Sequence, residues 1–250
     1  MQYIIDSLRT KQHFPQAANE QFRTHYNYLN KNFSINEELA ISENNFDRFR
    51  NKKVLVVGGG PTTNEIQWSP ADYDYILSCN HFFKHPVLLD VGVAVGLLSP
   101  EVNVNSEEFK KYWSEHPETI FCFDNPEVKK DTIQTLLERD STRVVVATTR
   151  YKSDIGSVPI LLILATLFKA AIIHVVGMDG MPPGKTTGDD AAHSFEPNKE
   201  MRSIHYNYNK YVEYYRQLWG YLRGEIGKGT KFVNLGHGHP YNISTLYNVV

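Results

Sequence analysis

The sequence predicts an α/β protein built on a doubly wound, mainly parallel sheet of about seven strands. Two observations carry that prediction. From Lys53 onward, seven short apolar runs are mostly separated by helix-length segments, the arrangement of a parallel sheet covered on both faces. The first run ends in three glycines and a proline, "VLVVGGGPTTNEI", as when a buried strand turns sharply into a helix whose amino end receives an anion. Together they make the fold Rossmann-like. With 250 residues and 41% hydrophobic content, the chain can form one large domain with a substantial core.

Taken in order, residues 1–52 are rich in Asn, Gln, Phe and Tyr, with loose helical spacing in "AANEQFRTHYNYLNKNF" and no strand pattern. They read as a helical amino-terminal extension, and residues 53–250 as the α/β domain. The strands are expected at 53–58, 73–80, 91–98, 119–125, 143–149, 170–179 and 230–236. Between them, "SEEFKKYW" opens with Ser106, a good N-cap followed by acids, and "NPEVKKDTIQTLLER" opens with Asn125 and a proline at the first helical position. "VPILLILATLF", residues 158–168, is too short to span a bilayer and reads as a buried helix. The segment from Asn198 is expected to be helical for much of its length, ending near Gly224.

The formal charge of -2 gives no general attraction to phosphate backbones or anionic lipid, so nucleic acid is unsupported as a partner. Cys79 and Cys122 both lie in apolar strand-like runs, which predicts buried free thiols and fits a reducing cytoplasm. The opening "MQYIIDSLRTKQHFPQ" does not read as a secretory signal. The expectation is a cytoplasmic protein without a transmembrane segment; its oligomeric state stays open.

In doubly wound sheets, ligands sit beyond the carboxyl ends of the strands. Gly58, Gly59 and Gly60 permit close backbone approach there, Pro61 suits the first helical turn, and the amides of Thr62 and Thr63 are expected to be free to donate to a phosphate. A tight turn without a ligand would also want glycines. No Gly-Lys-Ser/Thr follows, so this is not a P-loop, and Thr63 stands where a dinucleotide fingerprint needs its third glycine. The next strand ends in Asn80, where dinucleotide enzymes usually place an acid; an asparagine suits a pyrimidine edge or a sugar hydroxyl, or simply a turn.

"KKVLVVGGGPTTNEIQW" and "DYDYILSCNHFF" resemble the opening of the bacterial sialyltransferases of glycosyltransferase family 42. The likeness extends in layout to "IGSVPILLILATLFKA", "IIHVVGMDG" and "FVNLGHGHPYN", and similar patterns occur in Maf-like and pterin pyrophosphokinase-like proteins. The resemblance implies metal-independent transfer of a sugar from a CMP donor, with a histidine as general base on the acceptor hydroxyl. It implies donor contacts at Gly59, Gly60, Asn80 and Ser157, closure of the nucleotide pocket by Asp179 next to Gly177, and His205 nearest the place of the base. An imidazole near its free pKa can take that proton at neutral pH. The chain departs from the pattern at Gly59, where those enzymes carry an asparagine, and in "GMDGMPPGKTTG", which lacks their two tyrosines.

Other residues compete for roles. His193 is the rival base, and with Asp189 and Asp190 it invites a Mg²⁺ reading, against the plainer one of a solvated turn. Tyr206 or Tyr208 can steady a leaving phosphate, as can the cations Arg150 and Lys185. Gly236, His237 and His239 follow the last strand and are expected to face the pocket. The leading expectation is a glycosyltransferase using a nucleotide sugar as co-substrate, CMP-linked or of another pyrimidine, and requiring no cofactor. The alternatives are a Mg²⁺-dependent pyrophosphate- or phosphoryl-transferring enzyme and a non-catalytic nucleotide-binding protein.

Overall fold

The structure, a computed structural model, describes residues 2–5, 31–32, 46–124, 130–148, 156–180, 193–196, 208–224 and 227–237. Eight strands form one all-parallel sheet: β1 (Gln2–Ile5), β2 (Lys53–Val57), β3 (Tyr75–Cys79), β4 (Val95–Leu97), β5 (Ile120–Phe123), β6 (Val144–Thr148), β7 (Ile172–Val176) and β8 (Lys231–Asn234). Their spatial order is β1-β6-β5-β4-β3-β2-β7-β8. The helices are α1 (Thr62–Glu65), α2 (Pro86–Val91), α3 (Glu107–Glu115), α4 (Lys130–Asp140), α5 (Val158–Leu167) and α6 (Tyr208–Leu222). This is the Rossmann-like α/β fold, with each of the seven expected strands present.

Two local expectations need correction. Residues 2–5 form a strand, although no strand pattern precedes Lys52 in the sequence; four residues are too few for alternation to register, and the parallel partner β6 lies far along the chain. Residues 91–94 do not extend β4. Pro86 sits at the first position of α2, and Gly92, at φ +71°, ends that helix in a conformation that disfavours a Cβ.

The pleat divides the core in two. Val54, Val56, Leu77, Cys79, Val145 and Ala147 face α5 and α6, where Leu161, Leu164, Leu218 and Trp219 are fully buried. Leu55, Val57, Phe121, Phe123 and Val146 point the other way, against Phe109 and Tyr112 of α3 and Ile133 and Leu136 of α4. Helix α5 is buried through Thr166, as its uniformly apolar sequence predicts. The Ser106 hydroxyl accepts the Phe109 N–H at 3.3 Å, making the expected N-cap of α3. Cys79 and Cys122 are buried and not joined in a disulfide.

The chain runs outward from β2 through β3, β4, β5 and β6, and α5 then brings it back so that β7 pairs with the opposite edge of β2. Strand order therefore reverses between β2 and β7. That reversal places the carboxyl ends of these two strands beside the crevice in which this class of sheet receives its ligands. No helix among the described residues is long and apolar enough to cross a membrane.

Candidate functional site

At the switch point the two strand ends are tied together through Asp179. Its side chain accepts the Thr62 N–H at 3.0 Å through Oδ2 and the Thr62 hydroxyl through Oδ1, and the residue is only 7% exposed. The Gly177 N–H donates back to the same hydroxyl at 3.1 Å, and the Gly60 N–H donates to the Gly177 carbonyl at 3.0 Å. Burial pushes the Asp179 carboxyl above its ordinary pKa, against the opposing pull of the two Thr62 hydrogen bonds.

This arrangement corrects one expectation. The Thr62 amide is taken by Asp179, and the Thr63 amide donates to the Gly60 carbonyl at 3.1 Å, so neither is free for a phosphate. The anion at the head of α1 is the protein's own carboxylate.

The glycines are explained by the same packing. A Cβ on Gly58 would collide with the Gly177 carbonyl and the Val158 side chain, one on Gly60 with Asp179 and Gly177, and one on Gly236 with Thr62. Gly177 itself sits at φ +73°. Gly59 differs, because the atoms a Cβ would meet belong to the His193 ring.

His193 arrives on a short turn, residues 193–196, laid over the glycines. The Ser194 N–H donates to the Gly59 carbonyl at 2.8 Å, and its hydroxyl to the Gly60 carbonyl at 2.7 Å. Phe195 is buried, edge-on to the rings of His193 at 5.6 Å and His85 at 5.9 Å. Glu196 anchors the far end, 2.8 Å from His81 Nδ1 and 3.4 Å from Lys84 Nζ. The Phe195 N–H donates to His193 Nδ1 at 3.2 Å, which places the proton of the neutral ring on Nε2. In that tautomer Nε2 carries the ring hydrogen.

The remaining described candidates surround this centre. Asn80 joins the ends of β3 and β4. It sits at φ +58°, its N–H bonds the Leu97 carbonyl at 2.8 Å, and its Oδ1 accepts the Ser99 N–H at 2.9 Å. Its carboxamide oxygen is thus already committed. Ser157 precedes α5 and makes no side-chain cap bond. His237 pairs with Glu65 at 3.1 Å, both exposed, on the rim near Asp179. Pro61 precedes α1. His205, Arg150, Lys185, Tyr206, Asp189, Asp190 and His239 lie outside the described residues, as does the side chain of Tyr208.

Sequence reasoning missed Ser194, Glu196 and His81. His81 directly follows Asn80 and Glu196 stands three residues from His193, yet their pairing spans more than a hundred positions and leaves no local signal. Among the described residues, no group of three His, Cys, Asp or Glu is placed to hold a metal ion. A separate cleft of about 240 Å³ opens at the amino ends of the strands, lined among others by Arg48, Tyr73, Tyr75 and Glu118. It is on the wrong side of the sheet for the switch-point chemistry.

No protein-family model matches the chain, and no curated protein matches it.

Proposed function

We propose that this chain is a glycosyltransferase that moves a sugar from a nucleotide donor, CMP-linked in the favoured form, to an acceptor hydroxyl. The observation that supports the reading best is the convergence of a glycine turn, the buried Asp179 and the His193 ring at the β2/β7 switch point. In this reading the donor lies along the carboxyl ends of β2, β3 and β7, with Asp179 and Thr62 as its inner wall. The leaving phosphate meets two donors: the Gly59 N–H, which has no acceptor among the described residues, and His193 Nε2–H.

The acceptor oxygen forms its bond to the anomeric carbon as the bond from sugar to phosphate breaks. The hydroxyl proton passes to His205, and the nucleotide leaves with the bonding electrons. Arg150, Lys185 and Tyr206 are assigned to the negative charge that develops on the phosphate. The step as proposed uses no metal.

The test is a thermal-shift panel of CMP, CDP, UMP, UDP, GDP, ADP, S-adenosylmethionine and NAD, each with and without Mg²⁺. A ligand at about 100 times its Kd stabilises by about 2.7 kcal/mol, which for a chain of this size raises Tm by about 5–10 °C. A pyrimidine nucleotide shifting Tm without Mg²⁺ is the expected result. A shift confined to purine nucleotides with Mg²⁺ would move the assignment to phosphoryl or pyrophosphate transfer, and no shift at all would overturn nucleotide binding at this site and the reading with it.

A further inference from the structure

The cleft at the amino ends of the strands holds a cation whose donors are mostly unspent. Arg48 stands in its wall, on the short turn Asp47–Phe49 that precedes β2. The guanidinium lies over the rings of Phe49 at 5.0 Å and Tyr75 at 5.5 Å, contacts that orient it without using its N–H groups. Its Nε is buried with no hydrogen-bond partner, and Nη2 reaches only the Ala94 carbonyl, at 3.4 Å. That carbonyl already accepts the Ile120 N–H at 3.1 Å. A guanidinium carries five donors, so most of them have no acceptor among the described residues. The neighbouring carboxylates are engaged elsewhere: Asp47 by Arg50 at 2.6 Å, and Asp74, also in the cleft wall, by Lys52 at 3.3 Å and the Lys53 N–H at 2.8 Å. A partly desolvated charge with so few partners is costly, and a bound carboxylate is the group that would satisfy it.

The rest of the wall is apolar with a second charge. Pro70, Ile76, Val93 and Ala94 line it, together with Val91, which is 43% exposed at the end of α2. The Tyr73 hydroxyl is bound to His174 Nδ1 at 3.0 Å, so the cleft meets the body of that side chain rather than its polar tip. Glu118 shares the cleft but lies 3.8 Å from His116 Nδ1 and does not pair with Arg48. The volume, about 240 Å³, falls below the ~300–1,000 Å³ of pockets that take drug-sized ligands, so an occupant has to be smaller than those.

The geometry points to a binding site for a small carboxylate with a branched apolar body, the skeleton of an aliphatic amino acid or of its deaminated acid. The carboxylate takes the Arg48 fork and the branched carbons lie against Val91, Pro70 and Ile76. Where the ligand carries an ammonium group as well, Glu118 is its partner. The site is about 16 Å from the switch point, the length of a five-residue strand at ~3.3 Å per residue, and the inference is independent of the proposed sugar transfer.

The test titrates the full chain with L-leucine, 4-methylpentanoate and 4-methylpentanamide up to about 20 mM, following saturation transfer from protein to ligand methyls by NMR. At least one of the two carboxylates is expected to bind with a Kd of about 1 mM, and the amide, which lacks only the charge, at least tenfold more weakly. Arg48→Met should weaken the carboxylate at least tenfold. Val91→Asp sets a like charge beside it at an exposed position, should lower affinity in the same direction, and decides the matter should Arg48→Met not fold. Glu118→Gln separates the two sources: a loss confined to leucine assigns the zwitterion, and no loss assigns the plain acid, both within the proposal. Absence of binding by either carboxylate overturns it, as does equal binding by the amide. Binding that is unchanged in Arg48→Met or in Val91→Asp lies elsewhere on the molecule and overturns it too.

Discussion

Replacing Thr62 by valine keeps the outline of a fully buried side chain and removes only its hydroxyl. That hydroxyl donates to Asp179 and accepts from the Gly177 N–H, so its loss acts twice. A hydrogen bond to a charged group contributes about 1.5–3 kcal/mol, and a buried N–H left without an acceptor costs about 1–3 kcal/mol. Burying the new methyl returns about 0.8 kcal/mol. The expected net loss is about 2–5 kcal/mol, or a fall in Tm of about 4–20 °C for a chain of this length. Thr62→Ser keeps both bonds, loses one methyl and should cost about 1 kcal/mol. Urea titrations with unchanged m-values measure the difference. If the valine variant loses no more stability than the serine variant, the hydroxyl does not bridge β2 and β7 and the account of the switch point is wrong. The pH profile gives a second check. The folded-state pKa of Asp179 is raised, so its contribution to stability falls as pH rises from the ordinary carboxylate range through the raised value, and is flat above it. Without the Thr62 hydroxyl the carboxylate loses a donor, its pKa climbs further, and the falling limb extends to higher pH.

Three further predictions rest on separate features. Arg143 is buried against the Trp113 ring and donates to the carbonyls of Thr119 at 3.0 Å, Trp113 at 2.9 Å and His116 at 2.7 Å. Arg143→Met keeps the stem and strands three acceptors, an expected loss of about 3–5 kcal/mol by urea unfolding. Among the glycines, Gly58→Ala must push backbone aside and should cost about 1–3 kcal/mol, whereas Gly59→Ala meets only the His193 ring. Gly59→Ala should therefore fold with the smaller loss and move the His193 ring resonances in an NMR spectrum, and the reverse order would contradict the packing described. His85 is held below its ordinary pKa by burial, and His174 by burial and then by Lys53 and Lys231. Both folded-state values are depressed, so the stability these groups contribute is complete above about pH 6.5 and is lost as pH falls through the lowered values. His85→Gln should flatten that part of the stability profile.

Much of the fold was legible because it repeats. Apolar runs alternating with helix-length segments are a signal over tens of residues, and seven strands follow from it. Strand β1 was not legible, since "QYII" is short and its partner lies more than 140 positions away. Residues 91–94 were misread because Val91 and Val93 look like a strand, while the structure-setting residues are Pro86 and Gly92 at the two ends of α2. At the site, the sequence marks the glycine turn, Asn80 and Asp179 just beyond strand ends, and His193 seventeen positions beyond β7. It does not mark what they bond to. That Asp179 reaches Thr62, or that His81 meets Glu196, depends on side chains brought together across 117 and more than a hundred positions.

The three glycines show why motif and function have to be separated. Gly58 and Gly60 are required by contacts with Gly177, Val158 and Asp179, so they would be needed in this fold whatever the protein binds. Gly59 is different in each respect that bears on a ligand. Its neighbour is a side chain on the 193–196 turn rather than the sheet, and its N–H has no acceptor among the described residues. A turn serving only to join β2 to α1 has no need of glycine there. The place of the middle glycine is therefore set by His193, and His193 is held by Phe195, Ser194 and Glu196 against that one position. If the switch point binds a nucleotide, the Gly59–His193 pair is where the binding energy should concentrate, and substitutions there should weaken it while leaving the Asp179–Thr62 tie, and with it most of the stability, in place.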